Sequence, residues 1–230
     1  MALVLVDVDG TLFDRPSSEA LFIRYLAGRG HIGLRQVAAA TWFFARGLPR
    51  YGRHVARKNK AYLSGLDIDE VAQLAHAFAD ALLETRLRGV MARRLRWHRE
   101  HGDTLALLSG TPEFIAAPLA LRLGAGLWRA TRCAEREGRF TGQAPTRHPL
   151  AAEKLDCARE LCRVAGTSLE RCVAYADERH DLPLLSQVGR PVAVYPDRGL
   201  ARAARRLGWE VLGPPAPAPV YPGAAGPNQG

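Results

Sequence analysis

The chain has 230 residues, room for one full domain plus a modest insertion. Its 47% hydrophobic and 24% charged residues exclude a disordered, collagen-like or coiled-coil chain and predict a folded protein with a sizeable core. The net charge of +9 is localised: nine basic residues (Arg24, Arg29, Arg35, Arg46, Arg50, Arg53, Arg57, Lys58, Lys60) and no acidic one fall between residues 20 and 66, and the remainder is balanced. A segment of that kind draws anions such as phosphate esters, nucleic acid or acidic lipid. Arginine outnumbers lysine 29 to 3 throughout, so the same side chains also suit an ordinary solvated surface.

In chain order, residues 3–8 form an apolar, β-branched run without alternation, the pattern of a strand buried on both faces of a parallel sheet. The first ten residues, MALVLVDVDG, carry two aspartates where a signal peptide must be apolar, so a cytoplasmic protein is expected. Residues 16–87 turn helical, with breaks expected near residues 28–33, 47–49 and 64–65. After the last break, Asp67 with Glu70 makes a helix cap before Val71, Leu74, Ala75, Phe78 and Leu82 at helical spacing. This predicts an all-helical insertion after the first strand, with Trp42, Phe43 and Phe44 expected in its core. The longest apolar run, residues 37–45, is interrupted by Thr41 and falls far short of the roughly 20 residues of a membrane span.

Strand and helix signals then alternate. Strands are expected at residues 104–108, 128–134, 172–176 and 192–195, and helices at 90–100, from Thr111 and Pro112 onward, and at 152–165, 182–188 and 198–207. Repeated strand–helix units predict an α/β fold with a doubly wound parallel sheet. Its core would comprise residues 1–15 and 88–212, and the cap residues 16–87. Residues 213–230, with six prolines and four glycines, are expected to be a disordered tail. The four cysteines, Cys133, Cys157, Cys162 and Cys172, lack CxxC spacing and are expected to be reduced and structural.

The chemistry lies at the strand ends. Asp7-Val8-Asp9-Gly10-Thr11 places two carboxylates just after a buried strand, where each costs desolvation energy unless a cation or hydrogen bonds compensate; a hard divalent ion such as Mg²⁺ is the natural partner. Asp-Gly alone is also an ordinary turn signal. Residues 176–183, ADERHDLP, put Asp177 and Asp181 at the end of another predicted strand. Ser109-Gly110-Thr111 ends a third, offering a hydroxyl and loop amides to an anion, and Lys154 opens the helix before Cys172.

With these motifs in this order the sequence resembles the haloacid-dehalogenase-like (HAD) phosphatases, in the phosphoserine-phosphatase-like branch with a helical cap. DVDGTL (residues 7–12), LLSGT (107–111), Lys154 and ADERHDLPLL (176–185) match the four family motifs, and the resemblance spans residues 1–212. It implies that Asp7 is the nucleophile forming an aspartyl-phosphate and Asp9 the general acid–base. It further implies Mg²⁺ held by Asp7, the Asp9 carbonyl and Asp177 with support from Asp181, and phosphoryl oxygens held by Ser109, Gly110 and Lys154. The implied partner is a small phosphorylated metabolite such as phosphoserine or histidinol phosphate. In that branch a cap carboxylate and a cap arginine read the substrate, roles for which Glu19 and Arg50, Arg53 or Arg57 are the candidates. Glu178 departs from the family, where a small residue is common; it would face solvent or alter the metal shell. Arg179 and His180 are expected at the surface. No nucleic-acid partner is expected, and the competing reading is an anionic-polymer or membrane-surface binder that keeps the fold and uses its basic, aromatic cap.

Overall fold

The structure, a computed structural model, describes residues 1–52 and 55–214. Strand β1 (Leu3–Val6) is buried along its whole length and sits mid-sheet. Alternate side chains go to opposite faces: Val4 and Val6 join one hydrophobic cluster, Leu3 and Leu5 the other, as the period of two dictates. β1 is flanked by β2 (Thr104–Pro112) and β6 (Cys172–Ala176), and outside these lie β3 (Leu127–Thr131), β7 (Arg190–Val194) and β8 (Glu210–Leu212). The order is β3-β2-β1-β6-β7-β8 and every pairing is parallel, so all six C-terminal ends share one edge. A two-stranded antiparallel hairpin, β4 (Glu135–Arg136) and β5 (Arg139–Phe140), stands apart from this sheet.

Between β1 and β2 run α1 (Ser18–Gly28), α2 (Leu34–Tyr51), the short α3 (Val55–Lys58), a single 3₁₀ turn at Ala61–Leu63, α4 (Ile68–Arg86) and α5 (Gly89–Glu100). After β2 come α6 (Glu113–Leu123), α7 (Ala152–Val164), the single turn α8 (Leu182–Leu185) and α9 (Arg198–Leu207). Side chains of α5 and α6 pack with the Val4/Val6 face, and those of α7, α8 and α9 with the Leu3/Leu5 face.

The α1 and α4 helices share the first cluster with β1. Phe22 of α1 meets Phe78 of α4 at 5.2 Å between ring centres and Phe114 of α6 at 5.4 Å, and Phe114 meets Phe140 of the hairpin at 5.6 Å. One aromatic seam thus joins α1 and α4 to α6 and the hairpin. Asp67 caps α4 through the amides of Asp69 and Glu70, as expected.

Several expectations require correction. The break near residues 47–49 is absent: α2 continues through Gly47 and Pro49 to Tyr51. Pro49 sits so near the helix end that little is lost, and Gly47 is needed for close approach, since a Cβ there would stand 2.9 Å from Val55. Trp42 and Phe44 are exposed, not core, and Phe43 is half-buried, stacked on Tyr51. β2 runs four residues beyond the expected strand, to Pro112, with an irregular register after Leu108, so Thr111 is strand rather than a helix cap. The hairpin and β8 carried too short a pattern to be foreseen. Arg53 and the expected disorder of residues 215–230 lie outside the described residues. The four cysteines are buried free thiols, with the sulfurs of Cys162 and Cys172 3.4 Å apart. No described helix is long and apolar enough to cross a membrane.

Candidate active site

The strand ends of β1, β2 and β6 and the first turn of α7 converge on one cleft of about 720 Å³. Asp7 follows β1 directly, its amide bonded to the Tyr175 carbonyl of β6, 3.1 Å away. The chain then turns tightly, Gly10 N donating to Phe13 O, with Gly10 at φ +90°. A Cβ at Gly10 would lie 1.9 Å from Asp177 Oδ2, so glycine is required both by conformation and by the approaching carboxylate.

Asp7, Asp177 and Asp181 are all buried and can each offer an oxygen within 4.8 Å of the others. Lys154 Nζ reaches Asp7 Oδ1 at 3.0 Å and Asp181 Oδ1 at 2.8 Å. Burial alone would lower the pKa of this ammonium, yet Asp181 and Asp7 hold it well above its ordinary value. Asp177 stands differently. Its Oδ1 is buried with no hydrogen-bond partner, and burial together with the charges of Asp7, Glu178 and Asp181 pushes its pKa strongly upward. Burial likewise raises that of Asp181, against the opposing pull of Lys154.

Asp9 points elsewhere, toward the start of α1. Ser18 N donates to its Oδ1 at 2.6 Å and Thr111 Oγ1 to its Oδ2 at 3.0 Å; Thr111 is in turn 3.1 Å from Ser109 Oγ and 3.3 Å from Ser18 Oγ. Burial, the largest influence, lifts its pKa to about 6, although both hydrogen-bonding neighbours oppose the shift. Ser109 and Gly110 line the same cleft; the Gly110 carbonyl is held by Thr131 Oγ1 at 2.6 Å.

The wall opposite comes from residues 16–87. Glu19 lines the cleft but is not open: Lys60 Nζ lies 2.5 and 2.6 Å from its two oxygens, and the Tyr62 hydroxyl donates to one of them at 2.8 Å. Burial and the Glu19 charge drive the Tyr62 phenol well above its usual range. Arg57 also lines the cleft, bonded through Nη2 to both Glu178 oxygens at 2.9 and 3.2 Å, while Arg15 reaches Glu178 at 2.7 Å. Glu178 therefore neither faces open solvent nor joins the three-aspartate cluster; it ties residues 16–87 to the strand end. Burial works to raise its pKa, but Arg57 and Arg15 prevail and hold it below the ordinary value. Arg179 is exposed and His180 half-buried.

Sequence reasoning missed Ser18 and Thr111, Lys60 and Tyr62, and Asp197. The last caps α9 and accepts from Arg179 N at 3.0 Å while its own amide donates to the Asp177 carbonyl at 2.8 Å, fixing the loop that carries Asp177 and Asp181. The Ser17-Ser18 pair before a helical run was a visible capping signal. Nothing in the sequence pointed at Lys60 as Glu19's partner, 41 positions away.

The sequence matches the family described as haloacid dehalogenase-like hydrolase over residues 4–186. The chain is a HAD hydrolase. It belongs to the phosphoserine-phosphatase branch and is a phosphatase. It is 31% identical to phosphoserine phosphatase SerB1 of Mycobacterium tuberculosis over 217 residues, 91% of this chain and 70% of that one. It is 27% identical to a histidinol-phosphatase of Neisseria meningitidis, over 91% and 97% of the two chains. Among solved structures, a protein of unknown function from Bordetella pertussis Tohama I superimposes with a TM-score of 0.77 at 27% identity, covering 92% and 97%. A substrate-bound phosphoserine phosphatase gives 0.60 at 17% identity, covering 92% of each chain, which speaks for the fold alone.

Proposed function

We propose that this HAD phosphatase is a Mg²⁺-dependent phosphomonoesterase working through an aspartyl-phosphate, with residues 1–15 and 88–212 as catalytic core and 16–87 as cap. The observation that carries the reading is a charge imbalance: Asp7, Asp177 and Asp181 converge with Lys154 as the single buried cation among them, Asp9 lines the same cleft, and one buried carboxylate oxygen is unpartnered. An all-oxygen, acidic donor set suits a hard divalent cation, and Asp7, Asp177 and the Asp9 carbonyl would hold it with Asp181 in support. Bound there, Mg²⁺ would neutralise phosphoryl charge and lower the repulsion facing an anionic nucleophile.

The chain's own groups account for the rest. A carboxylate oxygen of Asp7 attacks phosphorus as the bond from phosphorus to the alcohol oxygen breaks, and Asp9 donates its proton to that leaving oxygen. Asp9 is suited to this because burial lifts its pKa to about 6, nearer neutrality than an ordinary carboxyl, so that it can both give up and take back a proton in that range. Water then attacks the phosphorus, Asp9 takes the water's proton, and the Asp7–phosphorus bond breaks to release phosphate. Lys154, Ser109 and Gly110 would hold phosphoryl oxygens, Lys154 exchanging its present carboxylate partners in part for the substrate.

For the substrate we read a small alcohol phosphate. Phosphoserine and histidinol phosphate both carry an ammonium, and Glu19, the cap carboxylate facing the cleft, would meet it only by giving up Lys60, which now spans both its oxygens. The test is phosphate release from a set of small phosphate esters, with and without an amine, in Mg²⁺ and again in excess chelator. Release from at least one ester that stops with chelator is the expected result; none from any, or release indifferent to chelator, overturns the proposal.

A further inference from the structure

Lys60 is a built-in counter-ion, and the group it neutralises faces the substrate cleft. Its ammonium, 1% exposed, lies 2.5 and 2.6 Å from the two oxygens of Glu19, the carboxylate that residues 16–87 contribute to the cleft wall. The Tyr62 hydroxyl donates to one of those oxygens at 2.8 Å, and burial with the Glu19 charge keeps this phenol protonated, so it adds a donor and no further negative charge. Between positions 20 and 66 the chain has no other acid, so a displaced Lys60 finds no second carboxylate in its own segment. A buried ammonium left uncompensated is strongly unfavourable.

This arrangement decides what Glu19 can receive. A ligand ammonium must expel Lys60 or crowd a second positive charge onto the same carboxylate. A ligand hydroxyl meets neither obstacle: a carboxylate offers about four acceptor sites, and Lys60 and Tyr62 take three of them.

The other charged part of the wall has a positive surplus. Arg15 and Arg57 both line the cleft and share the single carboxylate of Glu178, each through its Nη2. A guanidinium carries about five N–H donors in a planar fork that fits a carboxylate, so both retain donors for a ligand anion. Taking the phosphatase reading above as its basis, we propose that the substrate is the phosphate ester of an amine-free hydroxy acid, with its hydroxyl on Glu19, its carboxylate toward Arg15 and Arg57, and Lys60 as the residue that keeps an ammonium out.

The test compares phosphoserine with 3-phosphoglycerate, each as the racemate, since the two differ only in an ammonium or a hydroxyl on one carbon. The quantity read is the ratio of their kcat/KM values on the full chain in Mg²⁺, from which any loss of fold common to both esters cancels. In the wild type, 3-phosphoglycerate should be favoured by at least about tenfold, because juxtaposed like charges are costly. Lys60→Met, which leaves Glu19 as an unpaired anion, should move the ratio at least about tenfold toward phosphoserine; Lys60→Met with Glu19→Gln, in which neither charge remains, should abolish that move and treat the two esters alike. If Lys60→Met does not fold, the wild type and the double variant still decide. A wild type that favours phosphoserine overturns the inference, as does a ratio that neither variant changes. Hydrolysis of para-nitrophenyl phosphate with neither of the two esters cleaved also overturns it while leaving the phosphatase reading in place; no release from any ester sinks that reading and this inference with it.

Discussion

Two buried lysines, Lys154 lining the cleft and Lys60 bonded to Glu19 of its wall, are used in opposite ways. Lys60, 1% exposed, is matched to Glu19, whose two oxygens it spans, with Tyr62 adding a hydroxyl; one cation meets one anion. Lys154, 5% exposed, is shared between Asp7 and Asp181, with Asp177 beside them and Asp9 beyond. A balanced buried pair is complete and defines shape. An unbalanced cluster disfavours its ionised carboxylates, through burial first and neighbouring charge second, which raises their pKa values; a proton or a cation relieves it.

That contrast can be broken experimentally, and the largest effect should come from the unbalanced side. Asp7→Asn should abolish hydrolysis of para-nitrophenyl phosphate, because an amide cannot serve as the nucleophile. In the metal-free protein, however, at a pH above its raised pKa of about 9, where Asp177 is ionised, Asp177→Asn should raise the melting temperature by removing an unpartnered buried charge, and Mg²⁺ should raise that of the wild type in a concentration-dependent way. A metal-free Asp177→Asn protein less stable than wild type would show that the cluster is not a reservoir of repulsion.

Next in size, Asp9→Asn should slow hydrolysis of an alkyl phosphate by about 10²–10⁴-fold and affect phosphoenzyme formation from para-nitrophenyl phosphate much less, since nitrophenolate needs little protonation to leave. Equal losses, measured by single-turnover kinetics, would make Asp9 a positioning group for Ser18 and Thr111.

On the balanced side, Lys60→Met should destabilise the protein by about 3–5 kcal/mol, because Glu19 is left as an uncompensated charge, and adding Glu19→Gln should restore much of that loss. Denaturant unfolding of the two variants measures it; no recovery in the double variant would mean that Lys60 acts by packing. Smallest of all, Glu178→Gln should cost no more than about 1 kcal/mol of stability, its partners Arg15 and Arg57 being substantially exposed. By freeing those arginines it should lower KM for a carboxylate-bearing ester such as phosphoserine relative to para-nitrophenyl phosphate.

Much of the core was legible because its determinants are local. A strand buried on both faces must be a short apolar run, and residues 3–8 read as one; a carboxylate at its end has few structural uses, so Asp7, Asp9, Asp177 and Asp181 stood out. That the sheet is parallel also follows from alternation of elements, though β8, three residues long at the sheet edge, carries too little pattern to see. Glu19 was identified as a cleft residue and does line it, but its state was not legible, because the partner that neutralises it is 41 positions away in a 3₁₀ turn's approach.

What the sequence by itself determined is therefore the parallel sheet and the acidic strand ends, which follow from period, burial and the cost of unpaired charge, while the class of chemistry came from the motifs' resemblance to a family. The tertiary structure alone decided which charges meet. It paired Lys60 with Glu19 and Glu178 with Arg57, turned Asp9 toward Ser18 and Thr111, and left Trp42 and Phe44 of α2 exposed where the insertion's need for large apolar residues had placed them inside. The reason is physical: periodicity reports that a helix has an apolar face, but which side of it is covered depends on the neighbours that chain packing brings against it.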